Sequence, residues 1–265
     1  MYEAYWGLSE SPFRNRIDPR WYYASPQHNE ALARSLFLVE ERRRCGTLTG
    51  PAGTGKSLLL SVLAKEVRRT QRQVAFVDAA ELTGQGILWE LAAALHLAPS
   101  VSASHFDLWR TVSDHLQGQR LAGFQTVLLF DHVEQARTDC LPTLERLVRL
   151  EGRPDCWTTI ILSARSFDLP YGSSLLAELT DLRIQLAPFN QHDTSQYVHA
   201  LLKTSGCDRD LFSDETLEAI FKRTRGIPRE VNRVCDLSLL AAMGEQHSRI
   251  DPATLSRACE ELQLQ

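Results

Sequence analysis

The chain has 265 residues, of which 43% are apolar and 23% charged, and its formal net charge is −4. That composition gives a folded chain enough apolar material for a sizeable core and excludes an intrinsically disordered one. The slight negative balance excludes a global positive field of the kind that draws non-specific DNA binders onto phosphates, though a local basic patch stays open.

Residues 1–42 read as an N-terminal segment leading into the core. Met1–Phe13 carries Glu3 and Glu10 and lacks an apolar centre, so no signal peptide is expected there. Beyond it, short apolar runs alternate with helical patterns. Strands are expected at Gly46–Thr49, Val74–Asp78, Thr126–Asp131, Thr158–Ser163 and Leu182–Leu186. Helices are expected at Ser57–Arg69, Gly84–Leu97, Phe106–Gln119, Cys140–Leu150 and Ser174–Leu179. This alternation predicts βαβ units and a parallel sheet flanked by helices, an α/β domain over 43–189. Val127–Phe130 is apolar at every position, as a strand buried on both faces requires. After Pro188 the pattern turns helical, over Asp193–Thr204, Ser213–Arg225, Arg229–Met243 and Asp251–Leu264. Ser213 and Asp251 suit N-caps, and Pro252 suits a first helical position. A small all-helical domain over 190–265 is therefore expected, hinged near Ala187–Asn190.

No run of about 18 apolar residues predicts a transmembrane helix. The six cysteines show no CxxC spacing and are expected to be buried thiols in a reducing cytosol, giving a soluble, cytoplasmic protein. His192 and His199 lie seven apart without a third ligand at metal spacing. Arg42–Arg44 reads as a solvated charge run, and Ile87, Leu88, Trp89 and Leu91 read as core.

The strongest chemical signal is Gly50-Pro51-Ala52-Gly53-Thr54-Gly55-Lys56-Ser57, which fits the G-x-x-x-x-G-K-[ST] phosphate loop with a strand before it and a helix after. Glycines let backbone N–H groups turn inward around phosphates, and the helix start aims its positive dipole end at the same charge. The expectation is Mg-ATP, with Pro51, Ala52, Gly53, Thr54, Gly55, Lys56, Ser57 and Leu58 around the nucleotide. Lys56 would reach the β- and γ-phosphates, and the Ser57 hydroxyl would ligate Mg²⁺. Such a site also needs an acidic residue at the end of an apolar strand. Asp131, closing Thr126–Asp131, is the second expected magnesium ligand.

Three separated stretches make the chain resemble the AAA+ ATPases of the general secretion pathway protein A type. They are Met1-Tyr2-Glu3-Ala4-Tyr5-Trp6-Gly7-Leu8 with Ser11-Pro12-Phe13 and Asp18-Pro19-Arg20; Ser25-Pro26-Gln27-His28-Asn29-Glu30-Ala31-Leu32; and Gly226-Ile227-Pro228-Arg229-Glu230-Val231-Asn232-Arg233. The resemblance covers nearly the whole chain and implies a P-loop NTPase (AAA+) core with a helical lid and nucleotide between them. It implies that Arg229, beside Pro228, is the lid arginine on the γ-phosphate. It also implies that the segment around Ile17–Tyr23 lies against adenine, where Tyr22 and Tyr23 suit ring packing.

Two departures follow from the same resemblance. Where the family carries a Glu after the magnesium Asp, this chain has His132; Glu134, two residues on, is the alternative water-orienting group if the strand end bends. Where the family's arginine finger is expected, this chain has Leu179, leaving Arg183 or Arg165 as substitutes. Ser163 stands at the tip of the fourth strand in place of a larger Asn or Thr. These changes point to weak or partner-dependent hydrolysis, coupled to assembly or remodelling of a protein partner at the cell envelope. The alternatives are a nucleotide-dependent switch with little turnover and an ATPase helper in DNA transposition, the latter disfavoured by the charge. The family's longer members add a membrane segment and a peptidoglycan-binding region. The expectation here is therefore no direct membrane insertion, any inner-membrane attachment running through a partner, or else that the chain is a fragment. Homo-oligomer formation is left open.

Overall fold

The computed structural model describes residues 2–150, 156–166 and 178–261. The chain packs as two compact units. One comprises Asn29–Pro51 and Leu59–Leu186; the other comprises Met1–His28, Ala52–Leu58 and Ala187–Gln265. This grouping cuts across the linear division at 42/43 and 189/190. The N-terminal stretch and the middle of the phosphate loop pack with the C-terminal helices, through contacts given below.

The first unit is built on five parallel strands: β1 (Cys45–Thr49), β2 (Gln73–Asp78), β3 (Thr126–Asp131), β4 (Thr158–Ala164) and β5 (Leu182–Gln185), in the order β2-β3-β4-β1-β5. This is the expected parallel α/β sheet. Every residue of β3 and β4 is buried, because helices cover both faces. Side chains alternate across the sheet with the strand period of two. Leu128, Phe130, Ile160 and Leu162 enter the core beneath α4 (Gly84–Ala94), α5 (His105–Leu121) and α6 (Leu141–Val148). Val127, Leu129 and Ile161 enter the opposite core with residues of α2 (Pro26–Glu40) and α3 (Lys56–Arg69). Ser104 and Asp107 close a capping box at the start of α5. The helix expected over Ser174–Leu179 lies mostly outside the described residues.

Helix α2 has no counterpart among the expected elements. Its start is nonetheless encoded, since Ser25 precedes Pro26 and the Ser25 hydroxyl accepts the His28 backbone N–H at 3.3 Å. That is the N-cap pattern with proline at the first helical position.

The second unit is helical: α1 (Glu3–Trp6), α7 (Gln191–Thr204), α8 (Asp214–Thr224), α9 (Pro228–Gly244) and α10 (Pro252–Glu261). Asn190 caps α7, Ser213 caps α8, and the Asp251 carboxylate accepts the Thr254 N–H at 2.8 Å before α10. Trp6, Phe13, Val198, Phe212, Val234 and Leu239 share its core. The N-terminal stretch is tied to α9 by polar contacts as well. The Trp6 indole N–H donates to the Leu239 carbonyl at 3.0 Å, and the Tyr2 hydroxyl donates to the Asp236 carboxylate.

All six cysteines are buried and free. Burial pushes the Cys45 thiol up to about 12 and the Cys140 thiol up to about 11, so neither is a thiolate near neutral pH. No helix among the described residues is long and apolar enough to cross a membrane.

Candidate nucleotide site

The loop between β1 and α3 takes the conformation its glycines allow. Gly53 has φ +83° and Gly55 φ +97°, in the left-handed region that side chains disfavour. A Cβ added to Gly53 would lie 2.8 Å from the Arg229 Cβ and 2.9 Å from the Ile227 Cγ2, so the start of α9 seats directly on the loop. The Arg229 backbone N–H donates to the Gly53 carbonyl at 3.2 Å. One of the amides that a helix start leaves without an intrahelical partner is thereby satisfied. Pro228 is buried in the first turn of α9, whereas the Arg229 side chain is exposed. Thr54 and Lys56 are buried, Pro51 and Ala52 are exposed, and Ser57 and Leu58 lie half-buried in the first turn of α3.

Of the N-terminal aromatics, Tyr23 lies edge-on to Phe189 at 5.7 Å and to Tyr197 at 5.8 Å. Tyr22 lies edge-on to the His28 ring at 6.1 Å, and burial pushes its hydroxyl up to about 12. Both tyrosines thus face helical-unit side chains. Two residues here escaped the sequence reading as functional positions, His28 and Ser25, although both stand in the quoted Ser25–Leu32 motif. The His28 ring nitrogens lie 2.9 Å from the Ser25 hydroxyl and 2.9 Å from the Thr54 carbonyl.

In the first unit, the ends of β2, β3 and β4 gather a second group. Asp131 is 1% exposed and pairs in register with Asp78 of β2. The next residue, His132, turns left-handed (φ 52°, ψ 37°) and starts a 3-10 turn over Val133–Gln135, so the strand end does bend. For a non-glycine residue that conformation costs about 1–2 kcal/mol. Two hydrogen bonds offset it: the His132 N–H donates to the Asp131 carboxylate at 3.0 Å, and the His132 Nδ1 meets the Asp78 carboxylate at 3.0 Å. An ionised carboxylate only accepts, so Nδ1 carries the hydrogen. Asp78 is a further residue that sequence reading missed; the signal available was its place at the end of the strand preceding β3.

The bend carries Glu134 inward. Its carboxylate is 14% exposed and pairs with the Arg165 Nε at 3.4 Å, while its Oε2 is buried without a hydrogen-bond partner among the described residues. The Ser163 hydroxyl, at the end of β4, is likewise buried and without such a partner. Arg183 is exposed on the edge strand β5, and Leu179 packs against the core shared with Leu128 and Phe130. Buried polar oxygens without partners are costly unless something else bonds them: the Ser163 hydroxyl can donate to an oxygen, and the Glu134 Oε2 can accept from a water. The candidate donors are each of a suitable chemical type. A serine hydroxyl (Ser57) and a buried carboxylate (Asp131) are hard oxygen ligands of the kind Mg²⁺ takes. Among the described residues no cluster of three His, Cys, Asp or Glu side chains forms a transition-metal site, the His192 and His199 pair included.

The strand–loop–helix over Gly50–Ser57 and the five-stranded parallel sheet flanked by helices form the P-loop NTPase (AAA+) fold. A protein-family model described as an AAA domain matches residues 39–169. The chain is similar to general secretion pathway protein A of Aeromonas hydrophila, 27% identical over 266 residues that cover 99% of this chain. It spans about half of that relative, 48% of its length. The chain thus resembles general secretion pathway protein A and carries a match to an AAA domain. Solved structures share the fold. Cdc6p of Pyrobaculum aerophilum has a TM-score of 0.76 at 16% identity, covering 95% of this chain and 70% of that one. The ORC1 protein of Aeropyrum pernix, solved in complex with DNA, has a TM-score of 0.72 at 13% identity, covering 95% and 68%. The RuvB branch-migration motor of Thermotoga maritima has a TM-score of 0.59 at 18% identity, covering 88% and 69%.

Proposed function

We propose that this chain binds Mg-ATP through Gly50–Ser57 and turns it over weakly or only with a partner. Nucleotide state would thereby be coupled to assembly or remodelling of a protein at the cell envelope. The observation that carries the reading is the phosphate loop itself, with left-handed Gly53 and Gly55 leading into α3 at Lys56. Its Gly53 carbonyl is held by the N–H of Arg229, so a change at the loop is felt at the start of α9.

The roles assigned are these. Lys56 and the first-turn amides of α3 bind the phosphates, and Ser57 and Asp131 hold the magnesium. Arg229 senses the γ-phosphate from α9, and Pro51, Ala52, Thr54, Leu58, Tyr22, Tyr23 and Pro228 line the nucleotide. The metal, when bound, offsets charge that builds on the phosphate oxygens. Ser163 and Glu134 offer buried oxygens for orienting water. The envelope partner comes from the likeness to general secretion pathway protein A, and the attachment, if any, is peripheral.

A second reading, a switch with little hydrolysis, is favoured by the position of His132. Its ring is turned to Asp78, and no carboxylate stands directly after Asp131. Steady-state ATP turnover of wild type, His132→Glu and Glu134→Gln separates the possibilities. A positioned acid or base contributes about 10²–10⁴-fold, so His132→Glu is expected to raise turnover at least about tenfold. If His132→Glu leaves the rate unchanged and Glu134→Gln abolishes it, Glu134 orients the water and the His132 reading is wrong.

A further inference from the structure

We propose that His28 is a positioning residue for the phosphate loop, holding the Thr54–Gly55 peptide so that its N–H faces the phosphate side before nucleotide arrives. The proposal rests on the nucleotide reading above and deepens it.

The argument starts from the peptide group. In a trans peptide the carbonyl and the following N–H point in opposite directions, and the plane between them is stiff. Whatever holds a carbonyl on the outside of a loop therefore aims the next N–H inside. Two adjacent peptides of this loop are held that way. The Gly53 carbonyl accepts the Arg229 backbone N–H at 3.2 Å, which orients the Thr54 N–H. The Thr54 carbonyl is met by the His28 Nε2 at 2.9 Å, which orients the Gly55 N–H.

The tautomer follows from the partners. A carbonyl oxygen only accepts, so Nε2 carries the hydrogen. Nδ1 is then the acceptor, and the Ser25 hydroxyl donates to it at 2.9 Å. Ser25 also accepts the His28 backbone N–H, so one hydroxyl caps α2 and sets the ring's hydrogen at once. Ser25, His28 and Thr54 are all buried, so water does not compete for these bonds. Burial also keeps the imidazole below its ordinary pKa, and so neutral near pH 7. The ring cannot swing away readily: it packs on Phe189 with centroids 4.9 Å apart. Gly55 completes the fit, because a Cβ there would sit 3.2 Å from Nε2 at φ +97°.

A loop preset in this way loses less conformational freedom on binding, which raises affinity without adding any contact to the ligand. The test compares wild type, His28→Leu, His28→Gln and Lys56→Ala for Mg-ADP binding by calorimetry, each with a melting curve taken without nucleotide. A glutamine amide reaches about as far as Nε2 and keeps an N–H donor, whereas leucine fills space without one. Affinity is expected to fall about ten- to a hundredfold in His28→Leu, the worth of a buried carbonyl left without its donor. His28→Gln is expected to recover it to within about threefold of wild type. Equal losses in both His28 variants would mean that ring packing matters and the donor does not; no loss in either would also overturn the proposal. The ¹⁵N spectrum of the His28 side chain provides a readout that needs no ligand. A hydrogen on Nε2 and a bare Nδ1 are expected, and the reverse would contradict the assignment. If wild type binds Mg-ADP no better than Lys56→Ala does, the nucleotide reading fails instead, and the spectrum still decides whether His28 braces the loop.

Discussion

Lys56→Ala is expected to abolish measurable ATP turnover and to weaken nucleotide binding, while leaving the fold intact. Lys56 is the first residue of α3 and is buried at 8% exposure, so its ammonium works where water screens little. Charge-assisted hydrogen bonds to phosphate are worth about 1.5–3 kcal/mol, so affinity should fall about 10- to 150-fold. The effect on turnover should be larger, because in the transition state charge builds on the oxygen of the leaving diphosphate, beyond what the bound nucleotide carries there. Removing one preorganised donor at such a site costs about 10²–10³ in rate. Calorimetry and a phosphate-release assay measure the two effects separately. Turnover persisting in Lys56→Ala at the wild-type rate would remove Gly50–Ser57 from the chemistry.

The second large effect is structural. Gly226→Ala is expected to destabilise the helical unit by about 2–5 kcal/mol, summing the left-handed penalty and the forced backbone shift. Gly226 has φ +70°, and a Cβ there would lie 1.9 Å from the Phe189 carbonyl oxygen and 2.8 Å from its carbon. Those are backbone atoms, already committed, since the Phe189 N–H donates to the Gly226 carbonyl at 2.9 Å. They cannot step aside as a side chain does. Because Gly226 leads directly into Ile227 and Arg229, which seat on Gly53, the variant should also lose nucleotide affinity. Gly244→Ala is the control. It ends α9 with nothing within 4 Å of an added Cβ, and its stability should stay level or rise slightly. Urea unfolding of the three proteins reads this out.

The sheet was legible because its chemistry is local and repetitive. A run such as Val127–Phe130 has few options other than a strand buried on both faces, and β3 spans Thr126–Asp131 as expected. Helix ends with clear caps, at Ser213 and Asp251, were legible for the same reason. Helix α2 was not legible, although Ser25-Pro26 marks its start, because its apolar residues are interrupted by polar ones. The placement of the candidate residues was legible where a single segment writes it, in the loop between β1 and α3 and at Asp131 on the end of β3. It was not legible where distant segments meet. His28 and Thr54 lie 26 positions apart, and His132 and Asp78 lie 54 apart, so neither pairing leaves a trace in local spacing. The left-handed turn at His132 is likewise a product of its partners, since nothing in Asp131-His132-Val133 demands it.

The most direct test of the account is a calorimetric titration of the purified chain with Mg-ATP and, separately, with ATP after chelation of the metal. The account predicts saturable binding at one site per chain, weakened at least about tenfold without Mg²⁺, as expected when Ser57 and Asp131 hold the metal. A chain that gives no saturable heat with Mg-ATP, and whose melting temperature does not move at millimolar nucleotide, would contradict it.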